Sequence, residues 1–449
     1  MIRSFLKYVC LFAAVLGVCA GLLLGVCALI PQSAIAPQME KAEAWFSAHE
    51  GFPLVIEDQP NTRADHYADC ALFDVIWNVD STRPLHSVIA APYYRIQGND
   101  IRLDFHASVV DGLPPNNEYS RYWHGSQVLL RPLLTFTSIE GCRLVLFGLL
   151  LALNAWLAAR LMRMRRVRVL AIYAAGLLLV GFWMAAFCIE YITTFLVMTA
   201  ACIAAVGLWR GAQPMERRVR RMTPLCVISG TVTCFVDFLT TETLTLTVPV
   251  LLWLMLCKES DAQPLRFKQA LLWLVRFGAA WLCAYAVTFA LKWALVYWFL
   301  GKEALLNVFS SAAYRIDRSV VEGDAASALT VRSAVLPMML ARNIGMLFPF
   351  AESLTTGTAL GLAAGVLALM GAALYLFRGR RADGAFIAVL LLVGLLPYAR
   401  YVALASHAMD HYFFTYRAQM ASLIALMAVL AYSLKPSEVL GKKRRKTRR

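Results

Sequence analysis

Long apolar runs alternate with polar segments along almost the whole chain. A helix of about 20 apolar residues is needed to cross the hydrocarbon core of a bilayer, and about ten runs meet that requirement. The sequence therefore predicts an all-α membrane protein, a polytopic bundle of about ten transmembrane helices. The predicted spans are 5–30, 140–161, 168–188, 192–209, 223–240, 244–257, 270–292, 355–377, 385–404 and 415–434.

Two of the polar segments are unusually long. Residues 31–138 follow the first span and are rich in acidic side chains, and residues 293–354 follow the seventh span. A loop of this length is not needed for anchoring, so it indicates a protein that works at one face of the membrane. We predict a single transmembrane domain over 1–434, in which both long segments are extracytoplasmic, followed by a basic cytoplasmic tail at 435–449.

Positive charge marks the opposite face. The formal net charge is +15, but the basic residues are concentrated in alternate loops, as in the cytoplasmic loops of membrane proteins. This distribution argues against a nucleic-acid partner. It predicts a multi-pass protein of the cell (inner, cytoplasmic) membrane with both termini cytoplasmic, and membrane lipid as a partner of the tail. The basic clusters are 160–168, 210–221, 258–268, 378–381 and 442–449.

The first apolar run and the cysteines bear on the compartment. Arg3 and Lys7 precede the first run as in a signal peptide, but the run is longer than usual, and we expect a retained anchor. Most of the eleven cysteines lie within predicted spans, where a thiol behaves as a small apolar side chain. Cys70 and Cys142 lie on the outer side, where an oxidising compartment could join them or leave them free.

Two polar clusters in the first outer loop are candidates for chemistry. Asp65 and Asp69 are four residues apart and share one helical face. They could provide a catalytic base or metal ligands, or Asp65 could cap a helix N-terminus. The segment 119–125 combines aromatic rings with Arg121 and His124. Arginine suits phosphate binding, whereas aromatic side chains at the membrane boundary also serve as anchors.

Two further clusters lie at or within predicted spans. The segment 406–417 contains His407 and His411, whose spacing is compatible with a metal ion; a polar hairpin is the simpler interpretation. Asp237 and Lys292 lie near the outer ends of spans, where ionisable groups are costly and usually line a wet cavity. These two residues could pair, although Lys292 could also extend towards the membrane surface.

The four clusters resemble a family of large, mostly uncharacterised bacterial polytopic membrane proteins. That family in turn resembles the GT-C glycosyltransferases, which have many transmembrane helices and a large first outer loop. The resemblance implies a catalytic carboxylate on that loop and a polyprenyl-phosphate-linked sugar as donor. In GT-C enzymes the base usually follows the first helix closely, and here Glu40 and Glu43 are nearer to it than Asp65. The matching segments are 64–69, 119–125, 235–240, 292–293 and 407–417; they run from the first loop to the last hairpin, so the resemblance extends over most of the chain.

The leading hypothesis is a membrane-embedded glycosyltransferase that transfers a sugar to a cell-envelope glycan, lipid or protein at the outer face. Asp65 is the first choice as catalytic base and Asp69 the second. No nucleotide-binding motif occurs, no metal ligand is assigned, and the cofactor is unknown, with a divalent metal as one option. The predicted substrate-binding residues are Arg121, Tyr122, Trp123, His124, Asp237, Lys292, His407, His411, Tyr416 and Arg417.

Two other functions fit the same pattern. A flippase or transporter of a lipid-linked or amphiphilic envelope precursor would use the intramembrane charges as a path, and it would need polar groups along the whole depth of the bilayer. A non-catalytic membrane subunit of an envelope-assembly complex would need none of this chemistry. The sequence places most polar groups near the outer face, and this favours the enzyme.

Overall fold

The computed structural model describes residues 2–96, 98, 100–209, 213–260, 265–317, 328–348, 356–377 and 383–434. Within these ranges the chain is almost entirely helical. The predicted tail at 435–449, the basic cluster at 378–381 and parts of the second outer segment lie outside the described residues.

The described helices are numbered in chain order. In the first half they are α1 (Ile2–Leu29), α2 (Gln32–Ala48), α3 (His66–Trp77), α4 (Pro84–Ala90), α5 (Ile101–Val109), α6 (Gln127–Leu133), α7 (Ile139–Arg163), α8 (Val167–Leu179), α9 (Ile189–Leu208) and α10 (Met215–Val236). In the second half they are α11 (Leu244–Ser260), α12 (Phe267–Leu300), α13 (Lys302–Ile316), α14 (Ala328–Gly345), α15 (Thr356–Phe377), α16 (Gly384–Gly394), α17 (Leu396–Ala403), α18 (Ala405–Asp410), α19 (Tyr412–Thr415) and α20 (Met420–Ser433).

Short elements complete the described fold. Single 3-10 turns form at Pro60–Thr62, Phe182–Ala186 and Tyr416–Gln419. Strands β1 (Pro92–Tyr93) and β2 (Asn117–Glu118) pair antiparallel, so that the first residue of β1 is opposite the last residue of β2. This small sheet closes the loop that carries α5.

Among the described residues, seven helical segments are long and apolar enough to cross a membrane. The protein is therefore an all-helical, multi-pass membrane protein, as the pattern of apolar runs predicts. The segments are Phe5–Leu29, Ile139–Arg163, Ile189–Leu208, Phe267–Leu300, Gly357–Leu376, Gly384–Ala403 and Tyr412–Ser433.

The remaining three predicted spans have a different character, so the count of ten is not confirmed. The predicted span 168–188 is divided between α8 and a 3-10 turn, with Gly181 in the left-handed region at φ 60° between them. The span 223–240 lies in α10, which begins in a basic segment and is rich in serine and threonine. The span 244–257 lies in α11, which has only 17 residues.

The centre of the bundle is shielded from lipid by other helices. Helix α9 packs against α7, α10 and α11, and α10 packs against α12. In consequence, 72% of the apolar stretch of α9 is buried, against 6% in α1 and 6% in α15. The polar side chains of α10 are accommodated because this helix contacts protein on several sides.

The first outer loop folds as a helical cap on one end of the bundle. The Phe46 ring of α2 contacts Phe73 of α3 and Phe105 of α5, each with ring centroids 5.7 Å apart. Cys70 and Cys142 are both buried free thiols, so the disulfide considered from the sequence is not formed. The cap thus depends on apolar packing between its own helices.

Candidate functional site

A polar cavity of about 290 Å³ lies between the cap and the bundle. Its lining comes from the first outer loop, α9, the 237–243 loop, α13 and the last hairpin, which are far apart in the sequence. Half of the residues proposed from the sequence line this cavity, namely Asp65, Arg121, Tyr122, His124, His407 and His411.

Asp65 is both a helix cap and a cavity residue. Its Oδ1 accepts a hydrogen bond from the backbone N–H of Ala68 at 2.8 Å, at the start of α3. Burial, assisted by the neighbouring charge of Asp69, raises the pKa of Asp65 to about 7, although the hydrogen bond from Ala68 opposes the shift. A carboxyl group with this pKa can exchange a proton near neutral pH.

Asp69 does not line the cavity. Its Oδ2 accepts hydrogen bonds from Arg143 at 2.8 Å and from the backbone N–H of Ile189 at 3.1 Å. Its Oδ1 accepts from the backbone N–H of Glu190 at 3.1 Å. The carboxylate is fully buried, and it joins α3 to α7 and to the N-terminus of α9, where negative charge is favourable.

Glu190 is a second cavity carboxylate, and it is absent from the residues proposed from the sequence. It lies in the first turn of α9, and its Oε2 has no hydrogen-bond partner in the described parts of the chain. The available signal was an acidic residue at the start of an apolar run. Glu40 and Glu43, nearer to the first helix, do not line the cavity: Glu40 is exposed, and Glu43 pairs with His106 at 2.8 Å.

The cavity histidines are neutral. His124 Nε2 bonds to the Tyr119 carbonyl at 2.9 Å and His407 Nε2 to the Leu239 carbonyl at 2.8 Å, so in both rings Nε2 is the donor. Each Nδ1 is buried without a partner among the described residues. Burial lowers the pKa of His124 to about 3 and that of His411 to about 4, and it holds the pKa of His407 well below its usual value. These rings therefore offer acceptor nitrogens.

Positive charge in the cavity comes from arginine. The guanidinium of Arg121 lies 4.1 Å from the ring centroid of Tyr119, and Arg315 of α13 also lines the cavity, with its guanidinium 5.9 Å from the ring centroid of Tyr122. Neither takes part in an ion pair within the described ranges, whereas Arg95 binds Asp104 at 2.7 Å. Arg95 and Arg315 are not among the residues proposed from the sequence; the signal for Arg315 was its amphipathic helix.

Asp237 and Lys292 do not form the pair considered from the sequence, and neither lines the cavity. Asp237 accepts hydrogen bonds from Thr194 Oγ1 at 2.5 Å and from the backbone N–H of Leu239 at 2.8 Å. Lys292 Nζ donates to the Val88 carbonyl at 2.6 Å. Asp237 thus fixes the 237–243 loop, and Lys292 fixes the cap to α12.

The last three proposed residues also bind within the fold and lie outside the cavity lining. Trp123 Nε1 donates to the Thr288 carbonyl at 3.0 Å. Tyr416 Oη donates to the Val180 carbonyl at 3.1 Å. Arg417 Nη1 donates to the carbonyl one turn earlier in its own hairpin at 3.0 Å. These side chains position the elements that carry the cavity residues.

The divalent metal considered from the sequence has no cluster of ligands in the described chain. No group of three or more His, Cys, Asp or Glu side chains there is arranged to hold a metal ion. His407 and His411 do come together, with ring centroids 4.6 Å apart, but as a pair only.

Comparison with known proteins finds no matching family model, no matching curated protein and no matching solved structure. The function therefore has to be argued from the chemistry of the cavity. That chemistry consists of two carboxyl groups, two arginines that have no carboxylate partner among the described residues, neutral imidazoles and several aromatic rings.

Proposed function

We propose that this protein is a membrane-embedded glycosyltransferase that transfers a sugar from a polyprenyl-phosphate donor to a hydroxyl group of a cell-envelope acceptor. One observation carries the proposal: a carboxyl group with a pKa near 7 lines the same cavity as two arginines that form no ion pair within the described residues. The carboxyl group suits proton removal near neutral pH, and the arginines suit the binding of a phosphate group. The resemblance to the GT-C layout agrees with this assignment.

The chemical step uses Asp65 as the base. Its carboxylate takes the proton of the acceptor hydroxyl, and the acceptor oxygen forms a bond to the anomeric carbon of the sugar. The bond between that carbon and the phosphate oxygen breaks, and the polyprenyl phosphate leaves with the electron pair. Arg121 and Arg315 stabilise the charge that grows on the phosphate. Asp65 then releases its proton to water.

The other lining groups suit a sugar. The Nδ1 atoms of His124 and His407 lack partners among the described residues and can accept hydrogen bonds from sugar hydroxyls. Tyr67 and Tyr122 offer aromatic faces in the same wall. A volume of about 290 Å³ lies at the lower end of ligand pockets, which range from about 300 to 1,000 Å³. This favours one sugar with its phosphate over a long glycan.

The site belongs to the extracytoplasmic side in this proposal. Asp65, Arg121 and His407 lie on segments that alternate with the basic loops, and basic loops are cytoplasmic in most membrane proteins. The protein would reside in the cell (inner) membrane with both termini in the cytoplasm. A lipid-linked donor reaches such a site laterally from the bilayer.

The test compares two variants in liposomes that are supplied with radiolabelled polyprenyl-phosphate sugars and envelope extract. Asp65→Asn keeps a good helix cap but removes the base, so we expect a 100- to 10,000-fold loss of transfer. Asp100→Asn is the matched control. Asp100 also caps a helix, accepting from the backbone N–H of Arg102 at 3.0 Å, but it does not line the cavity.

Three outcomes would contradict the proposal in different ways. Transfer that is undiminished in Asp65→Asn removes Asp65 as the base. No transfer from any donor, together with movement of labelled lipid between leaflets, would turn the assignment to a flippase. The buried ion pair of Arg400 with Glu242, at 2.9 Å, is the observation that favours that second function. If neither sugar transfer nor lipid movement is observed, the assignment becomes a non-catalytic membrane subunit.

A further inference from the structure

An apolar groove of about 580 Å³ lies beside the polar cavity. Helices α11, α12, α16 and α17 form its walls, and α12 and the α16–α17 segment are candidate membrane spans. The groove therefore opens within the part of the protein that contacts lipid. Its lining includes Leu246, Val250, Leu274, Phe277, Leu392 and Leu396. Such a surface fits a hydrocarbon chain.

One part of the groove lining is polar, and its hydrogen-bonding capacity is not used up. Arg400 Nε donates to Glu242 Oε1 at 2.9 Å, and both residues line the groove. Arg400 Nη1, Thr243 Oγ1 and Tyr285 Oη are buried and have no partner in the described parts of the chain. Buried polar atoms are normally bonded. Three such atoms among the residues of one apolar groove point to the head of an amphiphilic ligand.

The charges at this position favour an uncharged head. Glu242 already balances Arg400, and the buried carboxyl group of Asp237 belongs to the same loop. A phosphate group would add negative charge beside these carboxyl groups in a region shielded from water, which is costly. A hydroxyl or ester oxygen can accept from Arg400 Nη1 without adding charge. The unpaired arginines that suit phosphate are in the polar cavity.

Leu239 contacts residues of both the groove and the cavity. The carbonyl of Leu239 accepts hydrogen bonds from Arg400 Nη2, a groove residue, and from His407 Nε2, a cavity residue, the latter at 2.8 Å. Leu239 has a φ of 66°, a backbone conformation that leucine rarely adopts. The neighbouring Phe238 lines the cavity, and Glu242 lines the groove. The 237–243 loop thus borders both the groove and the cavity.

We infer that the groove binds one chain of an uncharged lipid whose head carries hydroxyl or ester oxygens, and that this lipid is the acceptor of the transfer. The claim that the lipid binds is supported by the groove alone. Its role as acceptor rests on the proposed function, because only then does the adjacent cavity hold a sugar donor. The acceptor class then becomes a membrane lipid, in place of a glycan or a protein.

The experiment fills the groove. A side chain at Gly278 of α12 would extend into free space, since an added Cβ meets no atom within 4 Å, and Gly278 lines the groove. We therefore expect Gly278→Trp to fill part of the groove, starting from a Cβ that meets no neighbouring atom. Gly148→Trp in α7 is the matched control, because that Cβ also meets no atom and the residue does not line the groove. Binding of radiolabelled diacylglycerol to the purified protein is measured.

We expect saturable binding to the wild type, at least a tenfold loss of affinity in Gly278→Trp, and unchanged affinity in Gly148→Trp. Tyr285→Phe should weaken binding several-fold, because it removes one head contact and leaves the chain contacts in place. Phosphatidic acid with the same chains should compete poorly. Equal binding to Gly278→Trp and the wild type would overturn the site. Phosphatidic acid that competes as well as diacylglycerol would overturn the uncharged head.

The transfer assay separates this inference from the proposed function. If Asp65→Asn abolishes transfer and Gly278→Trp does not, the glycosyltransferase assignment is supported, and the claim that the groove lipid is the acceptor is overturned. If neither the wild type nor any variant transfers sugar, but Gly278→Trp loses diacylglycerol binding, the lipid site is supported and the glycosyltransferase is not. Loss of transfer in both variants, with the labelled sugar recovered on diacylglycerol in the wild type, supports both.

Discussion

The polar residues between the cap and the bundle fall into two regions that look alike in the sequence. Among the described residues, several cavity side chains have polar atoms without partners, whereas the side chains around the cavity bind most of their polar groups into the fold. Asp65 and Asp69 illustrate the contrast, since they lie one turn apart. The first contributes to the cavity, and the second accepts three hydrogen bonds from α7 and α9. We call Asp69, Trp123, Asp237, Lys292, Tyr416 and Arg417 the support layer.

The comparison teaches that a buried polar side chain is not by itself evidence of function. Burial of a charge is costly unless the charge is paired, so a fold that buries one usually supplies its partners. In the support layer those partners are backbone groups, Arg143 and the hydroxyl groups of Thr194 and Thr240. In the cavity they are missing from the described chain, and that unused capacity is what a substrate can take up.

The largest expected effect is on stability, at Asp69. Removing one partner of a buried ion pair costs about 3 to 5 kcal/mol, and Asp69→Ala leaves Arg143 and two backbone N–H groups of α9 without their acceptor. We expect a loss of that size, or failure to accumulate in the membrane. Thermal unfolding in detergent measures it. Asp65→Asn should unfold at the wild-type temperature, and equal midpoints for Asp69→Ala and the wild type would erase the distinction between the regions.

The sequence predicts the general architecture because hydrophobicity alone determines which helices can cross a membrane. Its count of ten spans is not confirmed at α10, a helix that begins with several arginines, carries serine and threonine further along, and is packed among other helices. It also cannot predict which polar clusters meet, because that depends on how helices pack. The 119–125 and 406–417 clusters do meet, whereas Asp237 and Lys292 do not pair.

Glu190 shows a second limit of the sequence. The predicted boundary of the fourth span lies just after it, so it stood in a short connection that carried no motif. The position of Glu190 depends on Asp69, whose carboxylate accepts a hydrogen bond from the backbone N–H of Glu190 and fixes the start of α9. Glu190 thus belongs to the cavity because of a contact between residues 121 positions apart.

The next effect is a pH dependence of the transfer reaction. Only the ionised form of Asp65 can act as a base, and its pKa is about 7. The transfer rate should therefore fall about tenfold for each pH unit below 7 and level off above it. The cavity histidines stay neutral over this range and add no second inflection. A rate that is constant between pH 5 and 9 would remove Asp65 as the base, and donor binding over the same range serves as the control.

The smallest expected effects come from a pair of matched substitutions, one in the support layer and one in the cavity. Tyr416→Phe removes one buried hydrogen bond, the donation to the Val180 carbonyl, and should cost about 1 kcal/mol of stability while transfer stays unchanged. Tyr67→Phe changes a cavity side chain that is 38% exposed, so it should leave stability unchanged and reduce transfer a few-fold. Unfolding midpoints and transfer rates of both variants test this. If Tyr416→Phe lost transfer at full stability, the boundary between cavity and support layer would have to be redrawn around the last hairpin.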